Sequence, residues 1–291
     1  MLRARAGAAE PFFIRWNPPE PHLANHPPEP YASMHDPSEI EPWGSFGDDF
    51  QGKPYAQAQQ LRTWNIEDWT WEQWAPVVSR YLGEISLMDA QIGRVLAALD
   101  ELGLAEDMLV IYTTDHGDMC GSHGMIDKHF IMYHDVVHVP FIARRPGSIE
   151  AGTQCDAFVS NSIDLPVTSL QAAGVPVPET FHGQSLLPLF AGGRENGRPD
   201  IFAGYHGNQF GLFSQRMVRD RRWKYVWNAT AEDELYDLES DLWELRNRAR
   251  GPSCAGELSR LRQRLVDWME CSNDRLLNGA TRRQLLENRT L

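Results

Sequence analysis

The chain has 291 residues, 42% of them hydrophobic, enough to bury the core of one or two domains, which excludes a disulfide mini-protein and a disordered tail. Twenty-seven Lys and Arg against 40 Asp and Glu leave a formal net charge of −13, so the overall field repels polyanions and argues against a nucleic-acid partner. Cys120, Cys155, Cys254 and Cys271 match neither a zinc ribbon nor a dense disulfide framework and read as free thiols in a reducing compartment. Arg3 and Arg5 lead into Ala-Gly-Ala-Ala-Glu rather than a long apolar run, and nowhere do eighteen apolar residues run together. No signal peptide or membrane partner is expected, and a cytoplasmic location is.

Pro11-Phe-Phe-Ile-Arg-Trp16 reads as a short strand that ends at the prolines of Asn17-Pro-Pro-Glu-Pro-His22. Residues 23 to 75 are rich in Pro, Trp and Asp without sustained periodicity, and carry no chemistry that the sequence decodes. From Pro76, residues Val78, Tyr81, Leu82, Ile85, Met88, Ile92, Val95, Leu96, Leu99 and Leu102 recur at three and four, predicting one helix that stops at Gly103. Met108 to Thr113 is a continuous apolar run and reads as a fully buried strand; with the helix before it and a second strand over Val139 to Ala143, it predicts a parallel sheet. A helix is expected over Leu165 to Ala173, a hairpin over Gln215 to Asn228 around Asp220-Arg221-Arg222, a third strand at Leu235 to Leu238, and a helix over Ala255 to Met269. The fold class is therefore α/β, a mostly parallel sheet flanked by helices over 1–199, followed by a small α+β subdomain over 200–291.

Thr113-Thr-Asp-His-Gly-Asp118 directly follows the expected buried strand, and ligands gather where strands of an open sheet end. Asp115 and His116 are thus a candidate metal pair, the alternative being a turn-capping carboxylate beside an exposed imidazole. Lys128 could hold one oxygen of a tetrahedral anion, or be one more solvated lysine. His22, after the first expected strand, could protonate a leaving group, or be an unremarkable loop histidine. The basic run Arg216 to Lys224 alternates with Met217, Val218, Trp223 and Tyr225 and suits a half-buried hairpin better than a phosphate patch. The tryptophans at 64, 69, 71 and 74 sit beside Glu67, Asp68 and Glu72, which favours packing over base stacking. No dinucleotide loop, Walker loop, His-Glu-x-x-His or Gly-x-Ser-x-Gly occurs.

Tyr81-Leu-Gly-Glu-Ile-Ser-Leu-Met-Asp-Ala-Gln-Ile-Gly93, Val110 to Asp118, Gly121-Ser-His-Gly124, Lys128 and Val139-Pro140 together resemble the second half of a sulfatase of the alkaline phosphatase superfamily. Asp164-Leu165, Ala172-Ala-Gly174, His182-Gly-Gln-Ser-Leu186 and Glu234-Leu-Tyr-Asp-Leu238 with Glu244 and Asn247 extend the resemblance over nearly the whole chain. It implies an alkaline-phosphatase-like fold with its first part missing. Asp115 and His116 would then be two ligands of one divalent metal, Lys128 would hold the sulfate or phosphate group, and His22 would help protonate the leaving oxygen.

The family's nucleophile is a formylglycine made from Cys or Ser in Cys/Ser-x-Pro-x-Arg, and no such motif occurs in this sequence. The resemblance therefore implies an N-terminally truncated chain, inactive alone and marginal in stability. His116 stands where many sulfatases have Asn, and imidazole favours Mn, Fe or Zn over Ca. The expected function is hydrolysis of a small anionic sulfate ester. The alternatives are a phosphodiester or phosphonate monoester hydrolase of the same superfamily and a non-catalytic remnant that binds metal or ligand. For the chain itself the expected partners are a second copy or a complementing N-terminal segment.

Overall fold

A computed structural model describes residues 2–7, 10–193, 197–209 and 211–287, which form two compact units. The first comprises Met1–Pro42, Trp69–His116 and Val139–Arg198; the second comprises Trp43–Asp68, Gly117–His138 and Pro199–Leu291. In chain order the elements are α1 (Tyr55–Trp64), α2 (Trp71–Glu101), β1 (Val110–Thr113), a single turn α3 (His134–Val137), β2 (Phe141–Arg144), α4 (Asn161–Ala172), a single turn α5 (Leu187–Phe190), β3 (Ile201–Gly207), β4 (Phe213–Arg219), β5 (Trp223–Asn228), β6 (Glu234–Asp237), α6 (Ala255–Cys271) and α7 (Gly279–Glu287).

In the first unit α2 dominates. It starts five residues before Pro76, at a capping box in which Gln73 Oε1 accepts from the Thr70 N–H at 2.9 Å. Pro76 sits early enough in the helix to be tolerated, so it marks no boundary. Gly103, at φ +64°, ends the helix as its periodicity predicts. The segment before it packs on α2 through polar ties: Glu84, 4% exposed, accepts from Asn25 Nδ2 at 2.7 Å and from His26 N at 2.8 Å. Ser79 Oγ donates to His35 O at 2.6 Å and Trp71 Nε1 to Ile40 O at 2.7 Å. Gly83 is there because Tyr31 O would stand 2.3 Å from any Cβ at that position. The Gly-Glu of the Tyr81 motif is thus a docking notch and its hydrogen-bond acceptor.

Two expectations for this unit are corrected. Residues 11–16 form no strand, and Phe13 and Trp16 are exposed; an apolar run becomes a strand only beside a partner edge, and among the described residues none pairs with it. β1 is a strand, but none of its four residues is buried, and Tyr112 is 42% exposed. It pairs antiparallel with β2, Tyr112 opposite Ile142, and among the described residues neither strand has a second neighbour. The α/β class stands, while every described ladder is antiparallel.

In the C-terminal part of the second unit the expected hairpin, third strand and long helix are all present. β3 to β6 form a four-stranded antiparallel meander, with Asp220 Oδ1 accepting from Arg222 N (2.9 Å) and Trp223 N (2.7 Å) to close the β4–β5 turn. β3 carries no strong alternation and escaped the sequence reading. Leu258, Leu261, Leu265 and Met269 recur along one face of α6 and pack on Val218, Trp223, Tyr225, Trp227 and Leu235 of the sheet. Each such buried side chain contributes about 1.5–3 kcal/mol. The basic run of the hairpin is consumed internally: Arg216 meets Asp274 and Arg222 meets Asp237, while Lys224, 1% exposed, pairs with Glu244; the hairpin is more deeply buried than its alternation suggests, since all six residues of β5 are buried.

Candidate functional site

In the first unit, β1 delivers Asp115 and His116 into a turn held from three sides. Thr113 Oγ1 donates to Pro140 O at 2.8 Å, Thr114 Oγ1 to His116 O at 3.3 Å, and Asn161, at the start of α4, bonds the Thr114 carbonyl through Nδ2. Asp115 Oδ1 accepts from His116 N at 3.1 Å, and the His116 Nε2 to Asp115 Oδ2 distance is 3.8 Å. The carboxylate side chain is 84% exposed and the imidazole 36%. Partial burial pushes the Asp115 carboxyl up, but His116 and the turn's own N–H groups outweigh it and leave the group below the usual carboxylate range.

Two donors fall short of a metal set, and among the described residues no group of three or more His, Cys, Asp or Glu is placed to hold an ion. His22, in the same unit, is exposed; its Nδ1 is 2.9 Å from Leu23 O, a carbonyl that can only accept, so Nδ1 is the donor and Nε2 points its lone pair or proton elsewhere.

Lys128 lies in the second unit, on a loop whose shape its own sequence enforces. Gly117 passes so close to Asp135 O that a Cβ would stand 1.8 Å from it. Met119 N donates to Asp127 O at 2.9 Å and Gly121 N to Met125 O at 2.8 Å, closing a tight double-backed path. Asp118 Oδ1 accepts from Cys120 N (2.9 Å) and Asp127 N (3.2 Å), and its burial holds the carboxyl above its ordinary range. Lys128 Nζ sits 2.8 Å from Asp127 Oδ1, and His129 Nε2 sits 2.8 Å from Asp127 Oδ2. Burial pushes Asp127 up, yet the contacts with His129 and Lys128 prevail and set it at about 2. The Lys128 side chain is only 15% exposed, so it is a held cation rather than a solvated one. Cys120, buried beside Asp118, has its thiol pushed far up, which makes it a poor nucleophile.

Residues 2–175 match the sequence model of the Sulfatase family, and residues 121–270 match that of N-sulphoglucosamine sulphohydrolase, C-terminal. The chain belongs to the sulfatase family. Through it the chain joins the alkaline phosphatase superfamily, as its motifs led one to expect. This sulfatase-family chain is 28% identical over 240 residues to Delta 4,5-hexuronate-2-O-sulfatase of Bacteroides thetaiotaomicron, covering 81% of this chain and 49% of that one. It is 36% identical over 171 residues to human Arylsulfatase K, covering 55% and 31%. The phosphonate monoester hydrolase of Silicibacter pomeroyi superposes with a TM-score of 0.78 at 26% identity, over 89% of this chain and 56% of that one. The chain thus spans from about a third to about half of the curated relatives' length.

Asn161 and Asp127 were given no role by the sequence, and Asp118 and His123 lay inside recognised motifs without one, because all four act on backbone groups and neighbouring charges. Asp164 and Gly183, inside recognised motifs, have structural duties instead. Asp164, fully buried, accepts from Ser160 N (2.8 Å), Gln184 N (2.8 Å) and Arg198 Nη2 (2.6 Å). Gly183 leaves room for Ile163 O, 1.8 Å from its absent Cβ.

Proposed function

We propose that this sulfatase chain supplies the oxyanion-holding and leaving-group side of a metal-dependent hydrolase of sulfate esters. Lys128 holds one anionic oxygen of the ester as a point charge, with Asp127 fixing its ammonium until substrate arrives. His22 delivers a proton from Nε2 to the leaving oxygen as its bond to sulfur breaks. A divalent ion, Ca or one of Mn, Fe and Zn, would polarise the ester; Asp115 and His116 would be two of its ligands, and a complete set needs donors beyond them. The family's formylglycine has no source motif among these 291 residues, so no role here is routed through it. The observation that supports the reading most is the partly buried, ion-paired Lys128 in a chain that matches the Sulfatase family model.

His116 supports a second reading, a phosphonate monoester or phosphodiester substrate, since imidazole beside carboxylate suits Mn, Fe or Zn, and a phosphonate monoester hydrolase shares the fold. Hydrolysis of 4-nitrophenyl sulfate and of a phenylphosphonate monoester, with Ca or Mn, by this chain and by a form extended upstream to its relatives' length, tests both. Turnover is expected in the extended form, preferentially on the sulfate ester, and Lys128→Ala lowers it about 10²–10³-fold. Turnover indifferent to Lys128→Ala overturns the role of Lys128, and preference for the phosphonate selects the second reading.

A further inference from the structure

The loop from 117 to 129 contains half of the non-glycine residues with left-handed backbone among those described: Cys120 (φ 36°), His123 (φ 52°), Asp127 (φ 69°) and His129 (φ 85°), against Phe50, Asn65, Glu244 and Asn273 elsewhere. Residues with a Cβ resist this conformation, and four of them within ten positions persist only where surrounding contacts over-determine the path. Beyond the loop's own bonds and its contacts with Tyr133, Asp135 and Val136, the side chains that fix it come from one stretch more than sixty residues upstream, in the same compact unit, to which the sequence assigned no chemistry.

Trp43 Nε1 donates to Cys120 O at 2.8 Å. Ser45 Oγ lies 2.7 Å from Ser122 Oγ and accepts from His123 N at 3.2 Å. Asp48 Oδ2 is 2.7 Å from His123 Nδ1, whose ring stacks on Tyr133 at 3.8 Å between centroids. Gln60 Nε2, on α1, donates to Ile126 O at 2.8 Å and to Lys128 O at 3.4 Å. Ser45 and Gln60 are fully buried, and the Asp48 and His123 side chains are 2% and 1% exposed, so these bonds form away from water. Asp48 is itself anchored by the Lys53 ammonium, which also donates to Tyr133 Oη (2.9 Å) and Glu244 O (2.7 Å).

We propose that residues 43–60 form a clamp whose fixing points, Trp43, Ser45, Asp48 and Gln60, position Lys128 for oxyanion binding without touching the substrate. The proposal rests on the reading of Lys128 given above. It explains why Trp43, Ser45, Asp48 and Gln60 turn their polar atoms inward: these are spent on the carbonyls and side chains of the lysine loop. Gln60 is the nearest of them to Lys128, since it holds that residue's own carbonyl.

The test is a double-mutant cycle on the full chain, with inorganic sulfate as the probe, calorimetry for binding, and hydrogen exchange of the 117–129 amides as an independent readout. Gln60→Leu, close in volume, is expected to speed exchange in 117–129 and weaken sulfate about tenfold, and to have no further effect in a Lys128→Ala background. Should Gln60→Leu fail to fold, Trp43→Phe removes the bond to Cys120 O while keeping an aromatic ring and carries the same expectations. Unchanged exchange in 117–129, or sulfate losses that add to those of Lys128→Ala, overturns the clamp. Sulfate binding untouched by Lys128→Ala, with exchange altered, overturns the reading of Lys128 instead and with it the purpose assigned to the clamp.

Discussion

His134 accepts a hydrogen bond at Nδ1 from the Arg219 guanidinium at 3.0 Å, and its ring lies 4.3 Å from that of His138. A group that accepts from a cation cannot also hold a proton there. Burial, the neighbouring His138 and the Arg219 charge together lower its pKa from 6.5 to about 3. The unfolded chain takes up this proton near pH 6.5 and the folded chain resists it down to about 3, so the contribution is complete above 6.5 and is lost as pH falls through that window. Urea midpoints measured from pH 7 to pH 4 should decline less steeply in His134→Gln than in the parent; parallel slopes would contradict the assignment. At this scale the sequence was legible where chemistry is local. Asp115, His116 and Lys128 stand out by motif, and Lys128 is a held cation. Asp127 and Arg219 were invisible because what matters in each is a partner distant in sequence or an adjacent charge.

Helix α2 provides a controlled comparison at the level of elements. Gly83 and Gly93 lie ten residues apart on it, yet a Cβ at Gly83 would meet Tyr31 O at 2.3 Å, whereas at Gly93 nothing lies within 4 Å. Alanine is intrinsically better than glycine in a helix by about 0.5–1 kcal/mol, so Gly93→Ala should raise the thermal midpoint by that contribution. Gly83→Ala must displace a backbone carbonyl and should lower stability by about 1–3 kcal/mol despite the same propensity gain. Calorimetric scans of the two variants check the pair, and shifts of equal sign would refute the docking role of Tyr31. Periodicity made α2, the β4–β5 hairpin and α6 readable, since each buries a face at a fixed spacing. It misplaced the start of α2, where Pro76 masks the capping box at Thr70, and it missed α1, which presents Gln57 and Gln60 rather than an apolar stripe to its surroundings.

At the largest scale, the strand VIYT was expected to be buried and is not, and its partner FIAR is no better covered: Tyr112 and Ile142, paired across the β1–β2 ladder, are 42% and 62% exposed. Two adjacent apolar side chains on a two-stranded ladder whose outer edges have no partner among the described residues favour self-association, against the solubilising effect of a −13 net charge. Ile142→Thr keeps a β-branched side chain while reducing the apolar surface. It should lower light scattering at a given concentration and change stability by no more than about 0.5 kcal/mol; scattering equal to the parent would show that this face is not responsible. Among the described residues no helix is long and apolar enough to cross a membrane.

Gln57 Nε2 reaches Glu234 at 2.7 Å across 177 positions of sequence, and Lys53 reaches the Glu244 carbonyl across 191. During synthesis, the stretch that holds the lysine loop must therefore wait for its mates to leave the ribosome. At 5–20 residues per second that delay is roughly 10–40 s. Throughout it a lysine, a histidine and several carboxylates destined for burial remain in water, and chaperones have time to act before the second unit closes.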